Sequence, residues 1–189
     1  QPYQVKTLAA LQHDLHDRHG NTKWFVPLVA PVAFAPQPVP LDPYLLGLLL
    51  GDGCFRQHSI SISSADTEIV NYVADVLPST LTMRRQGDSY DYSLVKAAAG
   101  WTNELMQTIG KLGLKGRGSA DKFIPEAYLL NDVATRVATL QGLMDTDGYV
   151  SASGDVCQFT SVSAELIAGV TFLVQSLGGT VRQSRKVPT

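Results

Sequence analysis

Between residues 44 and 55 the chain reads YLLGLLLGDGCF, apolar on every side of a helical turn and then stopped by Asp52 between Gly51 and Gly53. Such a run predicts a buried helix with a glycine stop. Upstream, residues 4–19 predict a helix with Leu8, Leu11 and Leu15 on one face. The histidines at 13, 16 and 19 recur every third residue, which drifts around a helix, so they read as a solvated face rather than a metal site. RQHSISISS (56–64) alternates: Ile60 and Ile62 face one way, and Ser59, Ser61 and Ser63 the other, as in a half-buried strand. Asp66 is placed to N-cap a helix that ends before Pro78. Residues 80–96 read as two strands around a Gly87-Asp88 turn, 101–114 as a short amphipathic helix, 115–128 as a loop, and 131–146 as another helix. Six of the 10 prolines fall between 27 and 43, which predicts a stiff, extended connector that packs along the core through Trp24, Phe25 and Phe34.

The opening pattern recurs. LQGLMDTDGYV (140–150) aligns with LLGLLLGDGCF (45–55), pairing Leu45 with Leu140, Gly47 with Gly142, Leu48 with Leu143, Asp52 with Asp147 and Gly53 with Gly148. SISSADTEIV is then echoed by QFTSVSAELI, and LPSTLTMRR (77–85) by LGGTVRQSR (177–185). The chain therefore carries a tandem helix–strand–helix–strand repeat with a shortened second copy. Gly47 and Gly51, and Gly142 and Thr146, give each helix a low ridge, so that two such helices can approach backbone to backbone. Side by side and parallel, they bring Asp52 and Asp147 together. Two adjacent carboxylates repel unless a cation lies between them, and hard oxygen ligands suit Mg²⁺ or another hard divalent cation. Asp52, Asp147, Gly51 and Thr146 are the candidate metal positions. Such a pair suits in-line phosphodiester cleavage.

Composition narrows the class. With 189 residues, 44% of them hydrophobic, the chain can bury one good-sized core. Mean hydropathy is +0.03, and the apolar run at 44–50 is too short to cross a bilayer. The N-terminus reads as polar, without a cleavable apolar core. Cys54 and Cys157 read as reduced small hydrophobes. The net charge of −2 does not advertise a nucleic-acid binder, but Lys and Arg concentrate in 79–122 and 181–189, which permits a basic face on an acidic protein.

The paired Asp-Gly motifs resemble those of the LAGLIDADG homing endonucleases in their single-chain, two-motif form. KFIPEAYL (122–129) resembles the Lys-x-x-Pro block of intein-borne members, and the lead-in WFVPLVAPVAFAPQPVPLDP resembles the approach to their endonuclease domain. The resemblance covers roughly residues 22–189. It implies Asp52, Asp147 and Lys122 as catalytic residues. It also implies an α+β fold of tandem, pseudo-twofold αββαββα repeats, with two antiparallel four-stranded sheets forming a DNA-binding saddle and the motif helices at the interface. The corresponding segments are 1–42 (N-terminal helix and connector from the splicing region), 43–130 (first repeat) and 131–189 (second, truncated). The implied substrate is double-stranded DNA, the intein-less allele of a host gene, cut by a monomer in the cytoplasm of a bacterial or phage-infected cell. The implied partner is a splicing domain in the same precursor, and no membrane is involved. Candidate DNA contacts are Arg56, Ser59, Ser61, Ser63, Arg84, Arg85, Lys96, Gln158, Thr160, Arg182 and Arg185.

Three departures bear on that expectation. Gln1 at the start, the lack of a Thr-x-x-His block and the VPT ending exclude self-splicing by this chain as written. The second repeat has no counterpart of 90–122. The low net charge suits weak or decayed activity. Two other readings stay open beside the nuclease: a DNA-binding module without catalysis, and an insert with a purely structural role.

Overall fold

A computed structural model describes residues 4–56, 59–100 and 103–185. The chain divides into two compact units, Gln1–Ala30 and Pro31–Thr189. In the first, helix α1 spans only Leu8–His13, capped by the Thr7 hydroxyl. The expected helix over 4–19 stops there because local side chains win the backbone. Asp17 accepts from the amides of His19 and Asn21, and His16 bridges to Thr22. Trp24 lies in this unit, with its indole N–H on the Asp14 carbonyl and the Lys6 ammonium 3.8 Å from its ring centroid. Phe25 is 85% exposed and does not pack on a core.

The second unit begins inside the proline-rich stretch. Val32 N–H donates to the Ser176 carbonyl at 2.8 Å, Gln37 and Asn131 exchange two hydrogen bonds, and Tyr128 Oη bonds both the amide and the carbonyl of Leu41. Of the three aromatics expected to line a core, Phe34 is half-buried and stacks on Phe172. These bonds attach residues 31–42 to the domain that follows.

Helix α2 (Pro43–Asp52) is capped by the Asp42 carboxylate, and Leu45–Leu50 are all buried. A fully buried leucine stabilises by about 1.5–3 kcal/mol, so α2 is the central contributor to the core. Strands β1 (Gly53–Cys54) and β2 (Ile60–Ser63), helix α3 (Thr67–Val76), strands β3 (Leu81–Arg85) and β4 (Asp91–Lys96) and helix α4 (Glu104–Lys111) follow. The four strands form one antiparallel sheet in the order β1-β2-β4-β3. The turn between β3 and β4 places Gly87 at φ +59, which glycine adopts without steric penalty.

A 3₁₀ turn (Ser119–Asp121) and the short helix α5 (Glu126–Leu129) lead to α6 (Val133–Asp147), strands β5 (Gly148–Val150) and β6 (Cys157–Phe159) and helix α7 (Ala164–Ser176). Thus helix–strand–strand–helix recurs, but the second sheet has two strands among the described residues rather than the expected four. Residues 179–185 form no strand, so Arg182 and Arg185 lie on irregular chain and not on a sheet. Cys157 is exposed, contrary to its reading as a small core hydrophobe.

Helices α2 and α6 touch through their glycines. A Cβ added to Gly47 would lie 2.4 Å from the Thr139 carbonyl oxygen and 2.9 Å from Gly142 Cα; one added to Gly142 would lie 2.3 Å from the Tyr44 oxygen. Gly51 faces Thr146 in the same way. These contacts advance along both chains together, so the helices run parallel.

Arg136, fully buried near the start of α6, has no carboxylate in contact. Its guanidinium donates to the carbonyls of Asn131, Ser176 and Val32 and to the Ser176 hydroxyl, and lies 4.9 Å from the Phe34 ring centroid. Hydrogen bonds to three backbone carbonyls and one hydroxyl satisfy the group that desolvation would otherwise penalise.

The helix contact makes a testable contrast. Alanine at an exposed helical glycine gains about 0.5–1 kcal/mol. Gly110, whose added Cβ would meet only Lys115 Cδ at 3.9 Å, is expected to behave so. Gly47→Ala is expected to lose about 2 kcal/mol net, because overpacking against unyielding backbone costs about 1–3 kcal/mol or more. Urea midpoints of the two variants check both signs.

Candidate active site at the ends of two paired helices

Both motif helices end alike. Gly53 N–H donates to the Leu49 carbonyl and Gly148 N–H to that of Met144. The glycines have φ −83 and −89, which any residue adopts, so conformational freedom does not explain them. Space does: an added Cβ would sit 2.3 Å from the Leu49 oxygen or 2.2 Å from that of Met144. The chain leaves each helix so tightly that only glycine fits, and the preceding aspartate is left at the helix tip.

Asp52 is exposed and Asp147 half-buried. Lys122 is 4% exposed and reaches the same end of α2, with Nζ donating to the Gly51 carbonyl at 2.8 Å and to that of Leu49 at 3.4 Å. The Gly51 carbonyl belongs to the last turn of the helix, where acceptors lack intrahelical partners and a cation is favoured, while that of Leu49 also accepts from the Gly53 amide. The lysine is held from behind as well. Its own carbonyl accepts from the Ser163 hydroxyl at 2.5 Å, and that hydroxyl also caps α7. Ile124, Pro125 and Tyr128, next along the chain, are buried and fix the segment.

The charges act on one another. Partial desolvation raises the Asp52 carboxyl above its usual pKa, and Asp147 raises it further, while Lys122 opposes both. Asp147 is likewise raised by desolvation and opposed by Lys122. Burial lowers Lys122, opposed by the fields of Asp147 and Asp52. The three groups therefore form one electrostatic cluster.

Among the described residues no three His, Cys, Asp or Glu side chains gather around one point. What the cluster offers a metal is two carboxylates and helix-end carbonyls. The Gly51 carbonyl accepts from Lys122, and the Thr146 hydroxyl donates back to the Gly142 and Leu143 carbonyls, leaving Thr146 its backbone oxygen to contribute. Hard oxygens of this kind fit a cation that keeps several of its waters.

The other candidates scatter. Strand register places Arg84, Ser93, Ser61 and Cys54 in one row, on the face opposite the core. Arg84 and Ser63 are exposed there and Ser59 is half-buried, but Ser61 is 8% exposed and so is not open as expected. Ser63 donates to Asp91, which puts a carboxylate on that face. Arg85 and Lys96 fall on the opposite parity, in the rows of Tyr92 and Leu81. Arg85 is occupied with its own hairpin, donating to the Ser89 and Asp88 carbonyls. Gln158 and Thr160 are exposed at β6, and Arg56 lies beside Gly118. Tyr44 was missed by sequence reading: it donates to Asp145 at 2.7 Å across the helix pair and packs edge-on against Tyr72. A tyrosine one turn ahead of the first glycine was the available signal.

Residues 134–188 match the LAGLIDADG-like domain family. Replicative DNA helicase DnaB of Mycobacterium intracellulare is 33% identical over 146 residues, which is 77% of this chain and 20% of the helicase. The homothallic switching endonuclease of Saccharomyces cerevisiae is 24% identical over 156 residues, 71% of this chain and 27% of that protein. The chain thus spans between a fifth and somewhat over a quarter of these relatives' length. The matches support the LAGLIDADG resemblance carried by the two Asp-Gly motifs.

The raised carboxyl of Asp52 predicts a pH effect. Between the unfolded value near 3.8 and its higher folded value, the folded state holds more protons, so stability falls as pH rises through that window. Asp52→Asn removes this term. The variant is expected to melt above the wild type at neutral pH without divalent metal, with the difference disappearing below pH 3.8, where both states are protonated. Thermal melts across pH check this.

Proposed function

We propose that this chain is a site-specific double-stranded DNA endonuclease of the LAGLIDADG homing type, borne by an intein. The observation that carries the reading is the parallel pairing of α2 and α6, which delivers Asp52 and Asp147 to one end, beside a buried lysine that feels both. The family match over the second motif and the similarity to a homothallic switching endonuclease support a DNA endonuclease. Similarity confined to a fifth of a replicative helicase supports the intein context, since an insert matches only the inserted stretch of its host.

Asp52 and Asp147, with the carbonyls of Gly51 and Thr146, would hold Mg²⁺ or another hard divalent cation, which supplies Lewis-acid activation of water and stabilisation of the leaving oxygen. The carboxylates' mutual repulsion favours such a cation. Lys122 keeps one N–H after bonding Gly51 and Leu49. Directed at the phosphate, it offsets the charge that builds there, and its lowered pKa suits proton transfer at the departing or attacking oxygen. The DNA strand would lie against the Arg84 and Ser63 face of the larger sheet. A monomer acts on the intein-less allele of the host gene, and a splicing domain belongs to the same precursor, in a bacterial or phage-infected cell.

The second reading, a DNA-binding module without catalysis, is favoured by the two-stranded second sheet, which offers one half-site less surface. A duplex carrying the uninterrupted insertion site separates the two. Cleavage in Mg²⁺ with binding alone in Ca²⁺ is expected of the nuclease. Asp52→Asn and Asp147→Asn should each abolish cutting and retain binding, and Lys122→Met should slow it by about 10²–10⁴-fold. Wild-type cutting by Asp52→Asn would sink the assignment. Ca²⁺ should also raise the melting temperature of the wild type, and not that of the doubly substituted variant.

A further inference from the structure

Behind Lys122 lies a cleft of about 100 Å³, bounded by Gly53, Cys54 and Phe55 on one side and Gly118 and Ser119 on the other. Its charged lining is wholly cationic: Arg56, Arg117 and Lys122. Among the described residues the one salt bridge is Lys23–Asp14, so none of the three is neutralised by a carboxylate in contact. Arg56 and Arg117 are exposed and Lys122 is buried. Arg117 donates through Nε to the Gly113 carbonyl and lies 5.5 Å from the Phe123 ring centroid, which leaves its terminal nitrogens to point elsewhere. Lys122 is anchored on α2.

Arg56 is held by a glycine. Gly118 has φ −89 and ψ 175, open to any residue, yet an added Cβ would sit 2.3 Å from one terminal nitrogen of Arg56 and 2.6 Å from its guanidinium carbon. The guanidinium therefore lies flat on the Gly118 backbone, in the space that a side chain would fill. Arg56, seated against a glycine whose own backbone does not require it, meets Arg117 and Lys122 of one loop around a single small opening. Guanidinium groups with no acid in contact recognise phosphate. The volume is well below the range for ligand pockets, which suits one phosphate group and not a whole nucleotide.

We propose that the cleft formed by Arg56, Arg117 and Ser119, beside Lys122, binds a single backbone phosphate of the DNA strand presented to Asp52, neighbouring the phosphate that is cut, and so sets that strand's register. The cleft shares residues 53–56 with the chain leaving Asp52, so a strand at the carboxylate passes over it. This rests on the endonuclease reading. It adds Arg117 and Gly118, neither of which the strand pattern pointed to.

The test is the salt dependence of binding to a 30-base-pair non-target duplex, measured by fluorescence anisotropy. Each phosphate contact contributes a slope of about 0.9 in log affinity against log salt. Because one phosphate is shared, Arg56→Ala, Arg117→Ala and the double variant should each lose about one contact's worth of slope. Gly118→Ala, which displaces the Arg56 guanidinium with every charge retained, should lose the same while its thermal melt stays at the wild-type value. A double variant that loses two contacts' worth, or single variants with the wild-type slope, would overturn the pocket and leave the endonuclease reading standing. The reverse case is read by titrating inorganic phosphate and following the Gly118 and Ser119 amides by NMR. If the wild type does not bind duplex but these amides shift, and do not in Arg56→Ala, the phosphate pocket stands and the DNA reading falls. Neither duplex binding nor an amide shift would overturn both.

Discussion

Backbone-to-backbone contact between α2 and α6 is the constraint on which the remainder rests. Gly47 meets Thr139 and Gly142, and Gly51 meets Thr146, so the two helices approach more closely than leucine side chains would permit. Interhelical distances of 8–10 Å depend on the residues at the contact, and glycine sets the lower end. That contact leaves the leucines of α2 to face outward on its other sides, where β2, α3, β4 and α4 close over them. The helix pair thus organises the core and also fixes how far apart the two terminal aspartates lie.

Electrostatics follows from that packing. Two carboxylates at adjoining helix tips sit where the macrodipole already disfavours negative charge, and each is pushed toward protonation. A soluble fold has no stability reason to collect these groups. Lys122 lessens the strain from the side, yet it is buried, and its ammonium leans on carbonyls of the α2 end. Crowded charges whose partners only partly compensate them mark a candidate functional site. The same tight exit at Gly53 sends the chain directly into β1 and on to Arg56, so Asp52, the first strand of the larger sheet and one cation of the cleft follow one another along residues 52–56.

Much of this was legible from residue types. Leucines on every side of 45–50 mark a buried helix, small residues four apart mark a close crossing, and Asp-Gly marks each stop. Alternation found β2, and the Gly87 turn found the β3–β4 hairpin. Side-chain parity at the sheet was harder, because it depends on which strands pair: Arg84 and Arg85 are neighbours in sequence but oppose each other across the sheet, and only register shows that Arg85 and Lys96 share the core's parity. The burial of Ser61 depends on its place in the interior of a four-stranded sheet, flanked by Cys54 and Ser93. The 4–19 segment failed as a helix because Asp17 offers the backbone a competing turn. Arg136 carries no signal at all in a single sequence, since its value lies in three carbonyls far apart along the chain.

By itself the sequence determined the elements that depend on local periodicity and steric allowance: the two motif helices, their glycine stops, the alternating strand, and the pairing of two aspartates at equivalent places. Tertiary structure alone decided the long-range matters. Lys122 reaches across 71 residues to the Gly51 carbonyl, the Val32 strap closes over α6 and α7, and Arg56 rests on Gly118. Local preferences act between near neighbours in the chain. Charge, burial and hydrogen-bond satisfaction act between neighbours in space, and that set of neighbours exists only once the helices have met.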